Sequence, residues 1–232
     1  MTKPVAWTQT FADAYAFNNG DMADAFLKSV MRPSMQTLNE RLVSLQQNSN
    51  HAISTFAAYD HGQLMTHANM SFCLAIHSLW ERQIRTYLIG TVQHLRMTKP
   101  AVKDIQAATW TETVKYFRSV KGHDLKKFDS YDRLDTLQLL GNTCRHGDGV
   151  SSKRLFAKCP ELWPEASKSF WVGPVPSVLF LQIPDAFIAK LVDAIVLFWI
   201  DMRILSFEHL AEQIPSLADQ LAALKAERVA RL

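Results

Sequence analysis

Turn-forming residues are scarce in this 232-residue chain, with 8 Gly and 9 Pro. A β-sandwich or barrel needs more of both for its many tight turns, so those architectures are excluded. Cysteine is scarce too. Cys73, Cys144 and Cys159 are odd in number and far apart, which argues against a disulfide framework and leaves no zinc ligand set. Neither metal nor cofactor is expected. No strong excess of one charge exists: 25 Lys and Arg oppose 22 Asp and Glu, for a net +3. That balance permits contact with nucleic acid without the large surplus of a dedicated electrostatic binder. A long hydrophobic run is missing as well. The most apolar segment, 186–205, is interrupted by Lys190, Asp193, Asp201 and Arg203, and spanning a bilayer takes about 20 apolar residues. Met1-Thr2-Lys3-Pro4 leads into mixed polar sequence with no apolar signal core. A cytoplasmic protein with no membrane contact is expected. What is abundant is apolar residue, at 48% against 20% charged, enough to build a folded core.

Helical periodicity fills most of the chain. Residues 5–48 read as helical, with breaks at Asn18-Asn19-Gly20 and at Arg32-Pro33-Ser34. At the second, proline suits the first turn of a new helix. Met35, Leu38, Leu42 and Leu45 then recur on one face, and Asn48-Ser49-Asn50 reads as a loop. The strongest helix covers 62–96, with Phe72, Ala75, Ile76, Leu79, Gln83 and Tyr87 in one stripe that Trp80 and Ile84 widen. His77, Glu81 and Arg85 follow at i, i+4 spacing along its border. They read either as an exposed salt-bridged edge or as a polar cluster at the rim of a cleft. Another helix is expected over 101–120. The next, capped by Asp129-Ser130-Tyr131, runs through Leu134, Leu137 and Leu140 to His146, where Gly147 stops it. Five of the prolines fall in 160–184, a loop in which 178–183 has the pattern of a short strand. A core helix over 185–209 and an amphipathic tail helix follow, the tail carrying Leu217, Leu221 and Leu224 on one face and Arg228 and Arg231 at its end. The expected fold is all-α, an up-and-down helical bundle with room for one short β-hairpin near 171–183. Its expected divisions are a helical arm over 1–61, a core over 62–210 and a C-terminal amphipathic helix over 211–232.

Chemistry-bearing residues concentrate at 142–154. Asn142, Arg145, His146 and Asp148 lie within two helical turns, and Ser151, Ser152, Lys153 and Arg154 follow. On a helix Asn142 and His146 stack on one face, while Arg145 points about 100° away. The plain structural reading is a helix C-terminus whose cations complement the dipole and whose glycine closes the last turn. That reading leaves Asp148, Ser151, Lys153 and Arg154 unexplained.

Asn142-x-x-Arg145-His146-Gly147 at a helix end, with Glu81-Arg82 in a long preceding helix, resembles the HEPN superfamily (higher eukaryotes and prokaryotes nucleotide-binding). Gly147-Asp148-Gly149-x-Ser151-x-x-x-Leu155 and Pro160-Glu161-Leu162-Trp163 are similar to a subset with a His-Gly-x-Gly-x-Ser loop. The likeness covers roughly residues 62–210. Many members are small all-α proteins of bacterial toxin–antitoxin and phage-defence systems. Their ribonucleases are homodimers that carry an Arg, usually followed by a polar residue, with four to six intervening positions before a His. His146 takes the histidine position and Asn142 the polar one, but the arginine position falls on Gly141.

The resemblance implies a metal-independent endoribonuclease. His146 would be its acid or base, Arg145 with Lys153 its phosphoryl stabiliser, and Asn142 the orienting amide. Glu81, Arg85, Asp148 and Ser151 are its expected binding residues, and single-stranded or looped RNA its substrate. A rival reading, favoured by Gly141, is a HEPN-like module that dimerises or binds nucleotide, RNA or an antitoxin without catalysis. An Arg-His-Gly phosphohistidine phosphatase reading fails, because that motif needs the end of a strand in an α/β sheet.

Overall fold

Helix α9 (Asp185–Ala211) is apolar all round through 194–200, and all seven of those side chains are buried, as the absence of a polar face requires. It runs in the computed structural model, which describes residues 9–47, 51–211 and 214–232. Every regular element among the described residues is helical, and the chain is all-α. The other helices are α1 (Phe11–Tyr15), α2 (Asn19–Phe26), α3 (Arg32–Gln46), α4 (His51–His94), α5 (Val102–Ala107), α6 (Trp110–Lys121), α7 (Tyr131–His146), α8 (Val150–Lys158) and α10 (Ala218–Ala230). No helix among the described residues is long and apolar enough to cross a membrane. The chain separates into two compact units, each discontinuous in sequence. One holds residues 1–23, 79–135 and 193–232, and the other holds 24–78 and 136–192.

In the first unit the core is aromatic. Trp80 of α4 meets Phe198 and Trp199 of α9 edge to face, at 5.0 and 6.1 Å between ring centroids, the arrangement that ring quadrupoles favour. Trp199 Nε1 donates to Gln83 Oε1 (3.0 Å), and Gln83 Nε2 donates to the Asn19 carbonyl (2.8 Å). Trp199 Nε1 and both ends of the Gln83 amide are thereby matched. Gly20 lets α2 lie close to α9, since a Cβ there would stand 3.3 Å from the Val196 Cα.

Beneath this core Asp13, Lys121 and Tyr87 form a buried polar cluster. Lys121 Nζ lies 3.2 Å from Asp13 Oδ1, and the Tyr87 hydroxyl donates to the same oxygen (2.7 Å). Burial pushes the Tyr87 hydroxyl well above its ordinary pKa, helped by the Asp13 charge. Burial likewise lowers Lys121, against the pull of Asp13. Asp13 also accepts from the Thr10 backbone N–H (2.7 Å), so the cluster anchors the start of α1.

The second unit is built on the N-terminal part of α4, on α7, and on α3 and α8. Met31, Ile76, Leu137, Leu140, Leu155, Leu162 and Ile188 are fully buried. At Pro33 the chain does not break. It continues from α2 into α3 through a π-helical turn, Leu27–Met31. A widened turn is one way for a helix to accommodate the donor that proline lacks. Arg32, just past that turn, pairs with Asp185 (3.0 Å).

Three local expectations change. The helix over 101–120 is two helices, because Thr109 caps α6. Its backbone N–H and hydroxyl both donate to Glu112 (2.8 and 2.7 Å), a capping box. The segment 171–183 carries no hairpin. Pro174 and Pro176 remove ladder donors, and 178–180 is a 3₁₀ turn capped by Ser177. It is tied to the preceding loop by single bonds rather than a ladder, among them Gln182 N–H to the Leu162 carbonyl (2.8 Å). The long helix also begins at His51 rather than 62, which places 51–61 in α4. The loop expected at Asn48-Ser49-Asn50 lies outside the described residues.

The tail helix α10 packs on its own unit. Leu224 is buried, Arg228 binds Asp201 and Asp129, and Arg231 binds Asp193 (3.1 Å). Replacing Lys121 by Met strands the Asp13 charge in the interior, and removing one partner of a buried pair costs about 3–5 kcal/mol. The double variant Asp13→Asn/Lys121→Met should regain part of that loss. Urea denaturation of both variants measures it, and an unchanged midpoint for the single variant refutes the anchoring role.

Candidate functional site

Helix α7 delivers the motif, and its C-terminus forms as its residues dictate. Leu134, Leu137 and Leu140 bury one face, Arg145 and His146 occupy the last turn, and Gly147 adopts φ 69°. This left-handed conformation closes helices and suits glycine. The Thr143 hydroxyl is buried and donates to the Leu139 carbonyl (2.8 Å). Arg145 and His146 are exposed, and Asn142 is half-buried. The imidazole of His146 is therefore open to solvent, and no ion pair among the described residues locks it.

Asp148 follows the stop and fastens a loop. Its Oδ1 accepts from the Val178 backbone N–H (2.7 Å), and its Oδ2 accepts from the Ser177 hydroxyl (2.8 Å). Ser177 is held from its other side by Trp163 Nε1, which donates to its carbonyl (3.0 Å). Both Asp148 oxygens are thus engaged in architecture at the place where a ligand role was expected. Helix α8 starts beyond Gly149, whose N–H donates to the Ser152 hydroxyl (2.8 Å). Ser151 is half-buried, and Lys153 and Arg154 are exposed.

Gly141 decides what the motif can hold. A Cβ there would lie 2.2 Å from Cγ of His77 and 2.6 Å from its Nδ1, well inside any permitted contact. His77 is completely buried, and its Nε2 donates to Gln138 Oε1 (2.9 Å). His77 is thus neither on an exposed edge nor at a solvent-reached rim, the two places its spacing with Glu81 and Arg85 had offered. The ring fills the space that a side chain at 141 would need. An arginine at that position is sterically excluded while His77 stays in place.

One turn from this contact, Cys73 of α4 and Cys144 of α7 meet. A hydrogen bond with the Cys144 thiol, then burial, then the Cys144 charge push the Cys73 thiol well above its ordinary pKa. A thiol held protonated and out of solvent is a poor nucleophile. The sequence offered no sign of this pairing, because the two residues lie 71 positions apart.

Glu81 and Arg85 lie in the other unit from 142–154. They pair with each other at 3.3 Å, and Arg85 also donates to the Ala108 carbonyl (2.8 Å). Their partners are thus local, and Arg85 closes the short link between α5 and α6. An Arg-x4-His does occur elsewhere, from Arg118 to His123, but it spans the end of α6, where Gly122 turns left-handed at φ 71°. Burial and the charges of Lys121 and Lys127 lower the His123 pKa. Among the described residues no group of three or more His, Cys, Asp or Glu is placed to hold a metal ion.

No family model, curated protein or solved structure matches the chain.

Gly141→Ala forces α7 away from His77, and overpacking of this kind costs about 1–3 kcal/mol. A urea midpoint equal to the parent's would show that the contact is not restrictive. Alkylation should reach the half-buried Cys144 before Cys73 and Cys159, which are both buried. Peptide mass spectrometry after brief iodoacetamide treatment reads the order, and prior labelling of Cys73 would contradict it.

Proposed function

We propose that the chain is a HEPN-like RNA-binding module that uses the exposed cations around 145–154 to hold phosphates. The observation that carries this reading is the packing of His77 against Gly141. It fills the position where the ribonuclease motif keeps its arginine, while Arg145, His146, Lys153 and Arg154 stay exposed. Cations that make no ion pair among the described residues suit a polyanion, because phosphate contacts dominate nucleic-acid affinity. Ionised Arg145 and Lys153 supply charge-assisted donors, Arg145 in a fork matched to phosphate oxygens. Asp148 supports the face indirectly by fixing the 177–178 loop beside it. The resemblance also implies a homodimer, which light scattering of the purified chain tests.

The endoribonuclease reading retains one specific support. His146 is solvent-exposed and directly follows Arg145, so an acid–base group and a phosphate-binding group sit at one helix end. In that chemistry the ribose 2′-hydroxyl attacks the adjacent phosphorus and loses its proton to the imidazole, while the bond from phosphorus to the 5′-oxygen breaks and that oxygen leaves with a proton, giving a 2′,3′-cyclic phosphate.

Fluorescence anisotropy with labelled single-stranded RNA, read at several salt concentrations, separates these readings when the RNA is afterwards run on a gel. Binding should weaken with salt, and Arg145→Ala and Lys153→Ala should each flatten the log–log slope by about 0.7. The RNA should emerge intact. Binding that is absent, or indifferent to both substitutions, refutes the module. Cleavage that His146→Ala abolishes transfers the assignment to the nuclease.

A further inference from the structure

One cavity of the first unit lies away from the motif in sequence and chemistry. It has a volume of about 670 Å³ and is lined by α1, α2 and the C-terminal half of α4. Small-ligand sites typically occupy about 300–1,000 Å³. Its floor exists because the residues there are small. Ala12 and Ala16 are buried beneath it, and a Cβ at Gly90 would stand 3.2 Å from the Ala12 Cβ. Its walls are large and apolar, yet wet. Phe11 is 69% exposed, Tyr15 is 85% exposed and Met22 is 53% exposed, a costly arrangement for side chains with nothing to cover.

The polar lining is one-sided. Among the described residues no Asp or Glu lines the cavity, and Arg82 is its one permanent charge. Arg82 is exposed and makes no ion pair among the described residues. The Gln83 amide is already engaged by Asn19 and Trp199. His94 sits at the other end of the lining, with its ring packed edge-on against Phe11 (5.2 Å). A site with apolar walls, a cation and no carboxylate is complementary to an organic anion with an apolar body.

We propose that this cavity binds a soluble carboxylate with an extended aliphatic tail, the tail lying on Ala12, Ala16 and Leu79 and the carboxylate pairing with Arg82. A flexible chain follows a long groove, and a bidentate guanidinium–carboxylate pair fixes its head. The two terms are separable: tail length sets the apolar contribution, and the head group sets the dependence on Arg82.

The test uses the full chain and 11-(dansylamino)undecanoic acid, whose emission shifts to the blue in an apolar site. Saturable binding is expected, with displacement by dodecanoate and at least tenfold weaker displacement by dodecanol. Shortening the competitor should weaken it about three- to fourfold per methylene. Arg82→Gln should weaken the probe at least tenfold. Thr86→Trp, at an exposed lining position, should fill the cavity and abolish binding. Both substitutions lie on the surface, and helical circular dichroism checks that each variant is folded. Absence of saturable binding overturns the proposal, as does binding that both folded variants leave unchanged or competition equal for dodecanoate and dodecanol.

Discussion

At position 141 helix α7 lies against α4 at a distance that only glycine permits. The His77 ring occupies the gap, fixed through its Nε2 to Gln138 one turn before Gly141. This contact sets the depth of α7 in its unit. The rest of that helix is determined with it: Leu137 and Leu140 go inward, the Cys144 thiol reaches Cys73, and Arg145 and His146 are left facing solvent. A histidine sealed into a helix contact and a histidine displayed at a helix end thus depend on the same missing side chain. The second can meet a ligand because the first has been taken out of solution.

The unit that holds α1, α6 and α10 rests on a different principle. Its interior combines a tight aromatic cluster around Trp80, Phe198 and Trp199 with a buried ion pair at Asp13 and Lys121. Such a pair adds little net stability compared with an apolar replacement, but it tolerates only one arrangement of its partners. Here it ties the end of α6 to the start of α1, and Tyr87 of α4 closes the set. That fixed placement of α1 leaves Phe11 and Tyr15 standing over the groove rather than collapsed into it.

Much of this was legible in the residues. The scarcity of turn-formers and the 3.6-residue periodicity point to an all-α chain, and Gly122 and Gly147 mark helix ends because a left-handed residue was needed at each. Asn142, Arg145 and His146 lie at the helix end that Gly147 marks, whereas Ser151 and Lys153 ride on α8, a helix the sequence reading did not include. What escaped was of two kinds. Local signals were present but outweighed, as with Thr109 and Glu112, a capping box hidden inside a continuous apolar pattern. Other features are long-range and leave no trace in spacing: His77 with Gln138, Cys73 with Cys144, and Asp148 with Ser177. The buried state of His77 could not be inferred from its i, i+4 companions, because the neighbour that encloses it is a glycine 64 positions away.

The π-helical turn at Leu27–Met31 amounts to one surplus residue wound into an otherwise regular rod. Each residue of an α-helix advances the azimuth by about 100°. The wide turn takes up its extra residue without that advance, so deleting one residue there would restore regular winding and leave everything downstream at the same azimuth. Arg32 would still point toward Asp185, and the face of α3 that carries Met35 and Leu38 would keep its direction. A single-codon deletion in a regular turn would instead swing that face through the full angle. The stretch between Phe26 and Arg32 therefore holds a slack residue, the one place in this rod where chain length can change and the third helix keep its register.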